Sequence, residues 1–209
     1  MKLLYGTTNP AKLQSMREIL SGLELEIIGL KNVDLVFEPV DENGNNPLEN
    51  ARIKALAYYK AFKMPGFSCD SGLYIQGLDD EKQPGVHVRR IGGKELNDSE
   101  MIVYYTGLVN ELGGTAIAKY KNAIVLVIDE NKVFEYDGED ISSNEFILTS
   151  KAHSKRNEGF PLDSISLEIG TKQYYMDIDC NNHSIEDELA KGFKKFFNRI
   201  FLNKEFVLI

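Results

Sequence analysis

Cysteine is scarce in this chain: Cys69 and Cys180 are the two present among 209 residues. They show no CxxC spacing and no companion histidines. That speaks against a zinc framework or a disulfide-built scaffold and fits thiols kept reduced in a cytoplasm. Histidine is scarce too. His87, His153 and His183 have no metal-ligand spacing with one another, so each reads as a surface or core residue. Long apolar runs are missing. The apolar stretch at Met1–Thr7 is too short for a signal peptide, and nothing approaches the ~18 apolar residues of a membrane span. Positive charge is in deficit, with 24 Lys and Arg against 32 Asp and Glu and a net charge of -8. A protein that wraps DNA or RNA carries a basic surface, so this balance argues against a nucleic acid polymer as partner. A small phosphate ligand remains open, because a few local cations and a metal ion suffice to bind it. Repeats, low-complexity segments and long linkers are also absent.

What is there is a globular composition with 43% hydrophobic residues, enough to bury a core. Lys2–Tyr5 reads as a short strand, and Gly6–Pro10 as a turn. Lys12–Leu20 reads as an amphipathic helix with Leu13, Met16, Ile19 and Leu20 in step. Leu25–Leu30 is a second strand. Val36–Asn46 is an acidic loop, and Leu48–Phe62 is a strong helix. Phe67–Ile75 is predicted as a strand broken by an Asp70-Ser71-Gly72 turn, and Gln83–Gly93 as a loop. Asp98–Leu112 is a helix capped by Asn97 or Asp98. The long apolar stretch Ala116–Asp129 contains a strand at Ala123–Ile128, with Lys132–Tyr136 as its hairpin partner. Glu145–Leu148 is a further strand, His153–Ser164 a loop, and Ile185–Phe201 a closing helix. Early alternation of helix and strand followed by a hairpin predicts an α/β protein with a mixed sheet.

Four constellations can carry chemistry. Thr7-Thr8-Asn9-Pro10-Ala11-Lys12 joins a strand to a helix. Unpaired N–H groups and partial positive charge at a helix N-terminus suit a phosphate, although the GxxxxGK[ST] phosphate loop is absent; the plain alternative is a capped helix with a solvated lysine. Glu49-Asn50-Ala51-Arg52-Ile53-Lys54 places Lys54 to reach a phosphate and Glu49 to orient a water, or is an ordinary pattern of surface charges. Cys69-Asp70-Ser71-Gly72 ends an apolar strand with a carboxylate, where ligands of α/β sheets gather, or is a simple turn. The acidic loop offers Glu38, Asp41 and Glu42 as the hard oxygen ligands that magnesium takes, or is merely solvated.

Taken together, the order and spacing of these motifs resemble the inosine-triphosphate pyrophosphatase (Ham1-like) family of enzymes, which remove non-standard purine nucleotides. That family opens with Thr/Ser-x-Asn-x-x-Lys, here Thr7 to Lys12. Glu-Asn-Ala-x-x-Lys-Ala follows as Glu49 to Ala55, Asp-Asp-Ser-Gly-Leu as Cys69 to Leu73, and Pro-Gly-x-x-x-x-Arg as Pro84 to Arg90. The second half departs. Gly-Phe-Gly-Tyr-Asp-Pro is matched by Gly159-Phe160-Pro161-Leu162-Asp163-Ser164, which keeps Phe160 and Asp163. A base-reading Lys has Lys172 as its counterpart. For the Ser-His-Arg triplet there is Asn182-His183-Ser184, without the arginine, and Arg89 is one candidate replacement. Cys69 stands where the family has a carboxylate near the metal.

The resemblance implies a single ITPase-like domain over residues 1–209, with an elongated mixed sheet flanked by helices and two lobes around a central cleft. It implies a magnesium-dependent pyrophosphatase acting on a purine nucleoside triphosphate such as ITP, dITP or XTP. Asp70 would be the catalytic carboxylate, with Glu42 and Asp70 on the metal and Glu38 and Asp41 as alternatives. Thr7, Thr8, Asn9, Lys12, Lys54, Ser71 and Arg90 would hold phosphate or ribose. Phe160, Asp163, Lys172 and His183 would hold the base. A cytoplasmic homodimer is implied as well. Lys54→Ala is expected to raise KM far more than it disturbs folding. Two other readings follow from the departures. A same-fold enzyme could prefer another base, such as a modified pyrimidine, or the chain could bind nucleotides without catalysis, as the Cys69 replacement allows.

Overall fold

The computed structural model describes residues 1–33, 38, 40–178 and 188–201. Its elements form two compact units, made of the described residues of 1–70, 122–142 and 185–209 in the first, and of 71–121 and 143–184 in the second. Strands β3 (Gly66–Ile75) and β6 (Thr115–Asp129) contribute residues to both.

In the first unit, β1 (Lys2–Tyr5) pairs in parallel with β2 (Glu26–Gly29) on one side and with the start of β3 on the other. The strand order continues through β6 to β7 (Lys132–Tyr136), the antiparallel hairpin partner of β6. Side chains along a strand alternate between faces, and here both faces are covered. Leu3, Tyr5, Ile27, Phe67, Ile124 and Leu126 pack with Met16 and Leu20 of α1 (Pro10–Ile19) and with Phe193, Phe196, Phe197 and Ile200 of α4 (Glu188–Phe201). Ala123, Val125 and Val127 turn the other way and pack on Ala51 and Ala55 of α2 (Pro47–Phe62). Two-sided burial is why Ala123–Ile128 reads as a continuous apolar run with no alternation in the sequence.

In the second unit, the remaining parts of β3 and β6 join β8 (Phe146–Thr149) and β9 (Ser166–Leu167), with β6–β8 and β8–β9 antiparallel. One face carries α3 (Asp98–Glu111), whose Met101, Ile102, Tyr105 and Val109 pack on Leu73, Ile75, Ala118, Phe146 and Leu148. Asn97 is the α3 cap and forms a reciprocal capping box with Glu100. A short hairpin of β4 (Arg90–Ile91) and β5 (Lys94–Glu95) precedes it, with β4 inside the expected Gln83–Gly93 loop and β5 just after it.

The expected mixed α/β sheet flanked by helices is therefore present, with three corrections. Asp70-Ser71-Gly72 is not a turn: β3 runs unbroken through it. Gly72 is there because the backbone of Gly85 passes 3.2 Å from where a Cβ would sit, at the bridge between Leu73 and Gly85. Second, the strand expected at Ala123–Ile128 is longer: β6 begins at Thr115 and runs through Lys119–Asn122 to Asp129. Third, the loop expected at His153–Ser164 contains a 3₁₀ turn at Pro161–Ile165, fixed by the buried Leu162 and Ile165. The closing helix is described from Glu188; Ile185 to Asp187 lie outside the described residues.

Candidate active site

The first unit gathers charge just past the carboxyl end of β1 and at Asp70 in the middle of β3, beyond the residues where the two strands pair in parallel. The ends of parallel strands are where open α/β sheets bind ligands. β1 ends at Tyr5, and Gly6 to Asn9 lead into α1. Asn9 caps the helix, its Oδ1 accepting from the N–H groups of Ala11 at 2.9 Å and Lys12 at 3.3 Å. Thr7 Oγ1 accepts from the N–H of Asn9 at 3.2 Å. Pro10 occupies the first helical position, where a missing N–H costs nothing. These two side-chain oxygens therefore shape the helix entrance, while Thr8 and Lys12 keep exposed surface on the same turn. Gly6 has a reason to be glycine. A Cβ there would stand 2.3 Å from Ser68 Oγ and 2.5 Å from the Tyr58 ring.

The acidic loop is held by the start of α2. Asn46 caps the helix by accepting from the N–H of Glu49 at 2.9 Å. The Glu49 carboxylate accepts from Asn45 N at 2.8 Å and Asn46 Nδ2 at 2.9 Å, so the structure commits Glu49 to this cap instead of to a water. Buried Asn50 accepts from the Gly44 N–H at 2.8 Å and fastens the loop that carries Glu42 onto the helix.

One turn further along α2, Lys54 is buried and donates twice, to Asp70 Oδ1 at 2.8 Å and to Glu42 Oε2 at 3.0 Å. Burial pulls the Lys54 pKa down, but attraction by Asp70 and Glu42 and the hydrogen bonds from both outweigh it, and the net shift is upward. Lys12 goes the other way. Enough protein surrounds its ammonium to lower the pKa, and repulsion from Lys54 adds to this against the pull of Asp70, Cys69 and Glu42. Of the three acidic candidates in the loop, Glu42 is the one joined to Lys54; Glu38 and Asp41 are exposed.

Among the described residues, Asp70 Oδ2 is buried without a hydrogen-bond partner, and the same holds for Ser68 Oγ two residues earlier on the same strand face. A buried carboxylate oxygen without a donor suits a hard cation. Magnesium takes one or two protein carboxylates together with substrate phosphate oxygens, and Asp70 with Glu42 fit that set. Cys69 does not. Alternation along β3 turns it to the opposite face, against the apolar cluster, where it is hydrogen-bonded to Tyr5. Burial pushes its thiol up to about 12, so it stays protonated at neutral pH. Among the described residues, no three His, Cys, Asp or Glu side chains gather as a ready cation site.

The other residues expected to bind the nucleotide belong to the second unit. Ser71 follows Asp70 in β3 and is half-buried; Arg90 is exposed in β4. Phe160 and Asp163 come from one short segment. Asp163 accepts from Asn157 Nδ2 at 2.8 Å, and burial raises its pKa, with the Asn157 hydrogen bond acting in the opposite direction. Lys172 lies exposed in a tight turn with φ 60°, its N–H donating to Glu168 O at 2.9 Å. His183 lies outside the described residues, as do Asn182 and Ser184. Arg89, a candidate for the missing arginine, is committed elsewhere. It donates to Leu96 O at 2.9 Å and to Asp98 Oδ1 at 2.8 Å.

Several neighbours of the expected residues were not singled out from the sequence. Asn50 is part of the Glu-Asn-Ala motif but carries no charge to mark it. Tyr58 is one helical turn from Lys54. Its pKa is raised first by burial, and both Lys54 and Glu42 lie close enough to act on it. The i, i+4 spacing of Lys54 and Tyr58 was the available signal. Asn157 and Tyr120 flank Asp163, and no local pattern announces either.

The fold and the cluster define an α/β protein in which two lysines from helices α1 and α2 meet a loop carboxylate, Glu42, and a strand carboxylate, Asp70. The chain belongs to the Ham1 family, whose model matches residues 3–158. That match stops one residue short of the Gly159–Ser164 segment. A dITP/XTP pyrophosphatase of Leptospira interrogans is 33% identical over 148 residues, covering 69% of this chain and 72% of that protein. Another from Porphyromonas gingivalis is 32% identical over 133 residues, covering 64% and 66%. Among solved structures, a HAM1 protein from Coxiella burnetii matches with a TM-score of 0.73 at 22% identity, covering 95% of this chain and 99% of that one. The Ham1 protein of Staphylococcus aureus matches with a TM-score of 0.68 at 20% identity, covering 98% and 100%. At such identities the structural likeness speaks for the fold. Among the described residues, no helix is long and apolar enough to cross a membrane.

Proposed function

We propose that the chain is a magnesium-dependent nucleoside-triphosphate pyrophosphatase that converts non-standard purine triphosphates (ITP, dITP, XTP) to the monophosphate and pyrophosphate. The observation that carries this reading is the Lys54 ammonium held between Asp70 and Glu42, with Lys12 nearby, in a chain of the Ham1 family. The relatives named dITP/XTP pyrophosphatases support the choice of substrate.

Phosphoryl transfer depends on positioning and charge neutralisation more than on covalent chemistry by the protein. Water attacks the α-phosphorus, and the bond from phosphorus to the oxygen bridging to the β-phosphate breaks. Asp70 takes the proton of the attacking water. Lys12 and Lys54 offset the negative charge that builds on the departing pyrophosphate, and Thr7, Thr8, Asn9, Ser71 and Arg90 orient the phosphate and ribose oxygens. Held by Asp70 and Glu42, magnesium would supply further charge neutralisation and acidify the water. Phe160 stacks on the base and Asp163 bonds its edge, with Lys172 and His183 as further base contacts. The two units act as parts of one catalytic domain, and the protein works as a cytoplasmic homodimer, which light scattering on the purified chain tests.

A second reading, the same chemistry with another base preference, is favoured by one observation. Pro161 and Leu162 replace the family's Gly-Tyr and form a 3₁₀ turn with buried side chains. A site whose hydrogen-bonding groups for one substrate atom have changed discriminates differently. Pyrophosphate release with magnesium, measured for inosine, xanthosine, guanosine and pyrimidine triphosphates, tests both. The first reading expects the highest kcat/KM for inosine and xanthosine triphosphates. A pyrimidine preference replaces it with the second, and no release from any triphosphate leaves a binding module.

A further inference from the structure

We propose that Asp98 is a positioning residue for the segment that carries Phe160 and Asp163, and that Arg89 serves Asp98 and not the nucleotide. The inference rests on the reading of Phe160 and Asp163 as base-holding groups.

Asp98 is the first residue of α3, but Asn97 and Glu100 already cap that helix. Its carboxylate is used instead to join two other segments. Oδ1 accepts from Arg89 Nη2 at 2.8 Å, and Oδ2 accepts from the Gly159 N–H at 3.2 Å. Arg89 is fixed in turn. Its Nη1 donates to Leu96 O at 2.9 Å, and its own carbonyl accepts from the Leu96 N–H at 2.8 Å. A guanidinium with both terminal nitrogens engaged is rigid, and it orients the carboxylate it faces.

The held residue is at a critical place. Gly159 has φ 84°, a conformation that side chains disfavour, and Phe160 follows directly. Beyond it, Leu162 and Ile165 are buried in the cluster that includes Met101, Ile102 and Tyr105 of α3. The segment is therefore anchored at its far end by apolar packing. At its near end, Ser154 to Glu158 are all exposed, and Lys155 Nζ donates to Oδ1 of the exposed Asp177 at 3.0 Å. Asp98 is the group that holds Gly159 itself, so Phe160 and Asp163 lie between two points fixed on the same helix. Misplacing a binding group by about 1 Å costs substantial function even when the group itself is intact.

The test compares Asp98→Ala with Phe160→Ala and wild type in the full chain, using inosine triphosphate with magnesium. Asp98→Ala is expected to raise KM about tenfold while kcat stays within about twofold, the pattern of lost binding shared by ground and transition states. Inhibition by inorganic pyrophosphate, which reports the phosphate end, should be unchanged. Trypsin should cut Asp98→Ala faster after Lys155 or Arg156 than it cuts wild type. A fall in kcat at constant KM, or a wild-type rate of cleavage at those two residues, overturns the proposal. If Phe160→Ala leaves KM unchanged, the base-holding reading fails by itself, and the cleavage rate then decides the role of Asp98.

Discussion

The ammonium of Lys54 donates to Asp70 Oδ1 at 2.8 Å and so ties helix α2 to the middle of strand β3. Asp70 is 12% exposed at the side chain and Lys54 10%, so this pair is largely shielded from water. The expectation that Lys54 matters for substrate but little for folding changes accordingly. Breaking a buried pair by removing one partner costs about 3–5 kcal/mol, because the other charge is left behind. Lys54→Met should therefore lower urea stability by an amount in that range as well as abolish turnover. The raised pKa gives the pH window. The ion pairs contribute in full below the ordinary lysine value of 10.5 and are lost as pH rises through the higher folded value. Wild-type stability at pH 8 and Lys54→Met stability differing by less than 1 kcal/mol would remove Lys54 from this role.

Asp70→Asn keeps the shape of the side chain and one oxygen for Lys54, but it cannot take a proton from water. Turnover should fall by roughly 100-fold or more, the scale of losing a charged group that acts in the transition state. Circular dichroism should show the fold retained. Near-normal pyrophosphate release from a purified Asp70→Asn sample would dismiss Asp70 as the base.

Asp163 offers a test in which stability and function move apart. Burial raises its pKa above the ordinary 3.8, so its ionised form is disfavoured in the folded state. Below 3.8 the group is protonated whether folded or not, and it carries no such cost. The cost grows as pH rises from 3.8 through the folded value and then stays constant. Asp163→Asn, which can still accept from Asn157, should be more stable than wild type at pH 7, with the gain disappearing below pH 3.8. At pH 7 its kcat/KM should be lower. A loss of stability at pH 7 would contradict the pKa direction.

Gly192 in α4 sits against the turn at Glu139–Ile141. A Cβ on Gly192 would stand 2.0 Å from Asp140 O, and backbone cannot yield as a side chain can. Gly→Ala in a helix gains about 1 kcal/mol from propensity, while overpacking costs about 1–3 kcal/mol or more. With a clash this close the second effect wins, and Gly192→Ala should unfold at lower urea concentration than wild type. A higher midpoint would mean that α4 shifts without cost.

Much of this was legible beforehand because it depends on local rules. Asn97 caps α3 as expected, and the helices expected at Lys12–Leu20 and Leu48–Phe62 are present, each opened by an Asn cap and a Pro just before the expected start. The Lys132–Tyr136 hairpin followed from its turn residues and apolar flanks. Where reading failed, a distant partner was responsible. The Asp-Ser-Gly stretch looks like a turn until Gly85 is brought beside Gly72. The start of β6 at Thr115–Ala118 becomes a strand only where β8 pairs with it.

The sequence by itself determined the order of the motifs, the mixed α/β class and the residue types able to meet phosphate and a hard cation, since these follow from composition, periodicity and spacing. Tertiary structure decided which charges meet. Glu42 reaches Lys54 because Asn50 fastens the loop, Cys69 faces Tyr5 because strands alternate, and Arg89 is engaged because Asp98 stands next to it. A charge takes its role from its neighbours in space, and pairs such as Glu42–Lys54 and Lys54–Asp70 are 12 and 16 residues apart in the chain.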